Sequence, residues 1–227
     1  ATRCTSVDSA NIKTAGINPS MHVAASSDKE GSVVTVVLHV GDSLVTFVDL
    51  DSDESVTATV DGEDPVTLSE GNLLGLTQYA GSLDTKDAGK SVTVAVTRAN
   101  GNDSAPTSTV TMTEGLTLTK PAAGGTVSRA ADDIVVEWTD TAPSQDGVTV
   151  EAAGDCIDTA TVTAQPGQTT ATLSKDTLKK KQGDDVADSC SITVSATRQR
   201  NGTLDAAFGG GSIFDTFSSS AQLTSNP

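Results

Sequence analysis

The chain repeats itself. Val92-Thr93-Val94-Ala95-Val96-Thr97-Arg98 is answered by Ile192-Thr193-Val194-Ser195-Ala196-Thr197-Arg198. Upstream, Leu68-Ser69-Glu70-Gly71-Asn72-Leu73 is matched by Leu173-Ser174-Lys175-Asp176-Thr177-Leu178. Downstream, Asn100-Gly101 is matched by Asn201-Gly202. A period of about 100 residues is too long for a solenoid and equals one β-sandwich domain. Inside each copy, apolar residues alternate with Thr, Ser and Ala, which is the pattern of a strand with one buried face. The expectation is an all-β chain of two tandem antiparallel sandwiches, a class whose members more often hold, space or bind than catalyse.

The same period of two runs through Ser32–Val40, where Val34, Val36, Leu38 and Val40 share a face, and through Asp133–Trp138, where Ile134, Val136 and Trp138 do. Turn pairs such as Glu30-Gly31, Asp61-Gly62, Gly124-Gly125 and Asp146-Gly147 separate the runs. The division is expected at Glu114-Gly115, giving domains over 1–114 and 115–227. The stretch Phe208-Gly209-Gly210-Gly211-Ser212 reads as flexible or bulged. With 227 residues, each half can bury a core of its own. Aromatics are only 3% of the chain, so the cores must rest on Val, Leu, Ile and Ala. Trp138, in phase with Ile134 and Val136, is expected between the sheets of the second half.

Asp133-Ile134-Val135-Val136-Glu137-Trp138-Thr139, followed by Ala142-Pro143 and Asp146-Gly147, resembles the second strand and turn of fibronectin type III and bacterial immunoglobulin-like modules. Val94 to Pro106 resembles their final hairpin. The resemblance implies an immunoglobulin-like fold for each half. It also implies the work of such modules: spacer, adhesin or surface binding module, secreted, periplasmic or anchored at the outer membrane of a bacterial cell envelope. A carbohydrate-binding module using the domain-end loops is the alternative. The partner would be a protein or glycan at the cell surface.

The net charge of −16 argues against nucleic acid and against anionic lipid, both of which demand basic surfaces. No apolar run is long enough for a transmembrane helix. Cys156 and Cys190 both fall in the second repeat, and Cys190 is in phase with Ile192 and Val194. A disulfide between them is expected, with two buried free thiols as the alternative. A disulfide belongs to an oxidising compartment. Cys4 precedes a polar stretch and reads either as the lipid-bearing first residue of a processed lipoprotein or as an ordinary thiol or tether.

No enzyme is expected. His22 and His39 lie outside any nucleophile-elbow context, and no Gly-x-Ser-x-Gly occurs. Tyr79, Trp138 and four phenylalanines are few for the aromatic platforms of a sugar-cleaving site, and Trp138 is committed to the core pattern. No cofactor is expected beyond calcium, for which Asp49, Asp51, Asp53 and Glu54 are the candidate ligands. Alternating carboxylates on a turn can converge on one ion, the more so if Asp61–Asp64 folds back on them. The alternative is a solvated, self-repelling turn. In either case the strand should end near Asp49, because the face carrying Phe47 would otherwise run on into three acids.

Overall fold

The computed structural model describes residues 5–73, 76–183 and 185–227. The chain packs as two compact units. The first takes the chain up to Ala25, then Lys29–Met112 and Arg200–Thr216; the second takes Ser26–Asp28, Thr113–Gln199 and Phe217–Pro227. Residues 200–216, inside the expected 115–227 domain, therefore pack with the first unit.

The first unit contains β1 (Thr5–Asp8), β2 (Ile17–Ser26), β3 (Ser32–Val40), β4 (Thr46–Asp49), β5 (Ser55–Val60), β6 (Val66–Thr67), β7 (Ser69–Leu73), β8 (Leu76–Leu83), β9 (Ser91–Thr97) and β10 (Ala105–Thr111). In one sheet β3 lies between β2 and β8; the other has the order β10-β9-β5-β6. The second unit contains β11 (Leu116–Lys120), β12 (Thr126–Ser128), β13 (Ile134–Asp140), β14 (Val148–Gly154), β15 (Ile157–Ala164), β16 (Thr170–Leu173), β17 (Cys190–Asn201) and β18 (Ser212–Asn226), the last two reaching also into the first. Its sheets have the orders β11-β13-β16 and β18-β17-β14-β15.

These orders are the same order. Taken in chain sequence, β2, β3, β5, β6, β8, β9 and β10 correspond to β11, β13, β14, β15, β16, β17 and β18. Each set places its first, second and fifth strands in one sheet and its seventh, sixth, third and fourth in the other. The two copies of the repeated motif, β9 and β17, are both sixth strands with a neighbour on each side. The fold is all-β and immunoglobulin-like.

Two short pairings depart from the antiparallel expectation. β1 runs parallel to β4, and β12 runs parallel to β18. For β12 the cause lies in Pro121. Lacking an N–H, it ends the β11 ladder, and the chain then joins the opposite sheet alongside β18. The polar composition of Thr5–Asp8 gave no sign of a strand; it pairs only at a sheet edge.

Period two decides the core. Val34, Val36 and Leu38 of β3 and Met21 and Val23 of β2 enter one cluster with Val56, Ala58 and Val60 of β5 and Val92, Val94 and Val96 of β9. In the second unit Ile134, Val136 and Trp138 are buried from one sheet, and Val148, Val150, Ala152, Ile192, Val194 and Ala196 from the other. Trp138 is 3% exposed, and its indole N–H finds no partner among the described residues. The expected disulfide is formed: Cys156 and Cys190, with Cα atoms 5.8 Å apart, tie the entrance of β15 to the first residue of β17.

Gly209-Gly210-Gly211 lies against β2 and the turn before it. A Cβ on Gly209 would stand 2.2 Å from the Ala15 carbonyl oxygen, and one on Gly211 2.2 Å from that of Pro19. Close backbone approach is what requires glycine there.

Replacing Trp138 with Ala should cost about 3–5 kcal/mol through lost burial and the cavity left behind. Urea unfolding of the variant measures it. Reducing Cys156–Cys190, whose partners are 34 residues apart, should cost about 4 kcal/mol by loop-closure entropy, read from unfolding with and without reductant.

Candidate functional site

The alternation that buries Val92, Val94 and Val96 also turns Arg98 inward. A guanidinium held there must be paired and hydrogen-bonded. Its Nε donates to Glu54 Oε1 at 2.9 Å, Nη1 to Thr14 Oγ1 at 3.2 Å, and Nη2 to the carbonyls of Ser9 at 2.8 Å and Ile12 at 3.1 Å. Both side chains of the ion pair are fully buried. Arg198, at the same place in the second copy, donates to the Glu114 carbonyl at 2.8 Å and to Asp140 Oδ1 at 3.0 Å. Each repeat arginine therefore pins the segment preceding the first common strand of its unit.

One of the expected calcium ligands is engaged here. Glu54 turns inward as the counter-ion of Arg98, and its Oε1 also accepts the Ala99 N–H at 2.9 Å. Burial opposes its ionisation, but hydrogen bonds from Ala99, Ser9 and Arg98, with the charge of Arg98, outweigh it and hold the carboxyl below its ordinary range. The rest of the acidic run does not join it in a cluster. β4 ends at Asp49, as the clash of Phe47's face with the acids requires. The turn is tied down by the Leu50 N–H donating to the Tyr79 hydroxyl at 2.9 Å and the Asp51 N–H donating to Ser9 Oγ at 3.1 Å. Burial pushes the Tyr79 phenol up to about 12. Partial desolvation, then the charges of Asp8, Glu54 and Asp53, raise the Asp51 carboxyl. Asp61–Asp64 does not fold back: β5 runs between the two acidic turns, and six residues of strand span roughly 20 Å. Among the described residues no group of three or more His, Cys, Asp or Glu is arranged to hold a metal ion.

Cys4 lies outside the described residues. His22 stacks on Phe214 with ring centroids 4.5 Å apart, and its Nε2 lies 2.7 Å from Thr216 Oγ1. Burial lowers the pKa of His22. His39 Nδ1 donates to the Ser43 carbonyl at 3.1 Å. Neither forms a nucleophile–base–acid relay among the described residues. A groove of about 630 Å³ in the second unit is lined by Lys120, Pro121, Val127, Asp132, Asp133 and Val135 among others. Its charged groups have partners of their own: Lys120 Nζ donates to Glu137, Asp132 accepts the Ser128 N–H, and Asp133 accepts the Lys175 N–H.

On the outer face of β10-β9-β5-β6, hydroxyl side chains line up across the strands. Burial alternates strictly on β5 and β9, so residues paired across the strands share that face. Thr203, Thr109, Thr93 and Thr59 form one cross-strand rank. Ala95, Thr57 and Thr67 form the next; Thr111 pairs with Ser91 on one side, and Thr97 with Ser55 on the other. The ranks are spaced about 4.8 Å across the strands and about 6.7 Å along them. No charged residue stands in these ranks, on a chain of net charge −16. At the rim Asp61 accepts the Ser91 N–H and Asp205 accepts from Thr107 Oγ1. The matching face of the second unit is interrupted: Thr163-Thr149-Thr197 is followed by Thr161-Glu151-Ser195.

No protein-family model matches the sequence, and no curated protein matches it. Among solved structures, the chain is similar to the FN1-FN3 domains of chicken CNTN1, at 11% identity over 89% of this chain and 67% of that one, with a TM-score of 0.30. It is similar to a two-domain fibronectin type III segment of chicken tenascin at 13% identity, over 80% and 90% of the two chains, with a TM-score of 0.23. It is also similar to the BSP domain of a biofilm associated protein at 16% identity, over 93% and 30%, with a TM-score of 0.26. The fold assignment rests on the strand order.

Glu54→Ala should cost about 3–5 kcal/mol, because it leaves Arg98 buried without its counter-charge; chemical denaturation at neutral pH measures it. The sign with pH follows from the lowered pKa. The contribution of Glu54 is complete above its ordinary value of 4.5 and is lost as pH falls through the lower folded value. A stability profile across that window should flatten in Glu54→Gln. Melting with millimolar calcium against chelator tests the remaining acids, Asp49, Asp51 and Asp53.

Proposed function

We propose that this chain is a non-catalytic module of the cell envelope or extracellular space that presents the hydroxyl face of its first unit to a neutral, hydroxyl-rich partner, a surface glycan. The observation that carries the reading is the exclusion of charge from the ranks around Thr93. An acidic protein repels acidic surfaces and is attracted to basic ones; a face without charge discriminates by neither. Each threonine hydroxyl offers one donor and two acceptors, matching the alternation of a sugar's own hydroxyls. The β-branched side chain is stiff at χ1, so little rotamer freedom remains to be lost on contact. A face without aromatic anchors binds weakly at one site and gains strength by multiple display, which suits an adhesin or spacer.

The reading places the contact on a sheet face instead of the domain-end loops. A disulfide agrees with an oxidising compartment. Lipid attachment at Cys4 is part of the same proposal, and mass measurement of the N-terminal peptide from the native host tests it. The glycan contact is tested by probing a glycan array with the soluble chain and with Thr59→Lys and Thr93→Lys together. Binding by the native chain and its loss in the variant, with an unchanged melting midpoint, is the expected outcome. Retained binding would move the contact elsewhere, and no binding by the native chain would leave the spacer role alone.

A further inference from the structure

The repeat carries two Asn-Gly pairs at matching places, Asn100-Gly101 and Asn201-Gly202, and the fold treats them differently. Asn followed by Gly is the pair at which the backbone can attack its own side chain. Glycine has no Cβ to shield its amide nitrogen from the preceding carboxamide carbon.

Asn100 and Gly101 are exposed and sit at φ 54° and 78°, the two central positions of a tight hairpin turn. The turn is closed by the Asn102 N–H donating to the Ala99 carbonyl at 3.0 Å. That bond leaves the Gly101 N–H uninvolved, and no hydrogen bond holds it among the described residues. A Cβ placed on Gly101 would meet nothing within 4 Å, so the space around the amide is open. The loop is held besides by the Arg98 N–H donating to Ser104 Oγ at 3.0 Å and the Ala99 N–H donating to Glu54 Oε1 at 2.9 Å, neither of which engages the Gly101 amide.

At the second pair the amide is already used. The Gly202 N–H donates to the Ile213 carbonyl at 2.8 Å. On the next residue, Thr203 exchanges two backbone bonds with Thr109, each 2.8 Å. A Cβ on Gly202 would lie 2.1 Å from the Thr109 carbonyl oxygen, so the backbone is packed on that side as well. Asn201 itself is the last residue of β17.

We propose that Asn100-Gly101 is a site of spontaneous, succinimide-mediated modification in the folded protein and that Asn201-Gly202 is protected from it. The Gly101 nitrogen bonds to Asn100 Cγ as the Cγ–Nδ2 bond breaks. The proton from the glycine amide leaves with the side-chain nitrogen as ammonia. Water then opens either carbonyl of the five-membered ring, giving aspartate or isoaspartate. No oxidant or reductant is involved. The product falls in a sensitive place. Asn100 Nδ2 now faces Asp51 Oδ2 at 3.5 Å, and the neighbouring Ala99 N–H is held by Glu54. Conversion replaces the donor facing Asp51 with a second carboxylate, and isoaspartate also lengthens the backbone of the turn.

The full chain, folded, is incubated in mildly alkaline buffer at body temperature, with a parallel sample in urea. Tryptic mapping separates the two sites, because cleavage after Arg98 and after Arg200 puts them in different peptides. In the folded chain Asn100 should convert about tenfold faster than Asn201, or more, since Asn201 reacts only through local opening. In urea the two rates should converge. Isoaspartate at position 100, detected by enzymatic methyl transfer, confirms the succinimide route, and Gly101→Ala should suppress it. Equal rates in the folded chain, faster conversion at Asn201, or aspartate at position 100 without any isoaspartate would overturn the proposal.

Discussion

Both units depend on apolar side chains meeting between two sheets at a spacing of about 10 Å. With few aromatics available, the gap in the first unit is filled by Val34, Val36 and Leu38 on one side and Val56, Ala58, Val92, Val94 and Val96 on the other. Side chains of that size pack between sheets only if the alternation is kept on every strand. A slip of one residue would turn Val92, Val94 and Val96 out and Thr93, Ala95 and Thr97 in. The same strict phase that builds the core therefore builds the outer hydroxyl face.

That phase also explains the buried arginines. Arg98 and Arg198 occupy the next inward position after a run of core residues, where a charge is untenable alone. Each reaches beyond the apolar layer to the segment that leads into its unit, and Arg198 Nε alone of the two guanidinium Nε groups finds no partner among the described residues. A buried pair of this kind contributes little net stability compared with an apolar substitute, but losing one partner is costly. Its use here is to fix where Ser9–Ile12 and Glu114 sit. Glu54 is thus removed from any surface chemistry, which divides an acidic run that looks continuous in sequence.

The duplicated strand order gives the two units one scaffold, and their differences lie in what has been added to it. Unit one carries the extra strands β1, β4 and β7; unit two carries the disulfide and β12. The outer face of the four-strand sheet is uncharged in the first and bears Glu151 in the second.

Much of this was legible in the residues. The repeat, the period of two, the burial of Trp138 and the end of β4 at Asp49 all follow from local rules: side-chain alternation, turn chemistry and the intolerance of a core for charge. What escaped was decided by strands distant in sequence. Thr93 and Thr97 could be seen to alternate with valines, but only the pairing of β5, β9, β10 and the bridge at Thr203 puts Thr59, Thr93, Thr109 and Thr203 in one rank. Glu54 could be read as surface acid because nothing local shows that Arg98, at the end of the neighbouring strand β9, needs it. Two Asn-Gly pairs are equivalent as letters, and become different only when Ile213 and Thr109 occupy the backbone beside one of them. Sequence determines which way each side chain points; tertiary structure decides what stands opposite, because pairing across strands is set by the whole sheet.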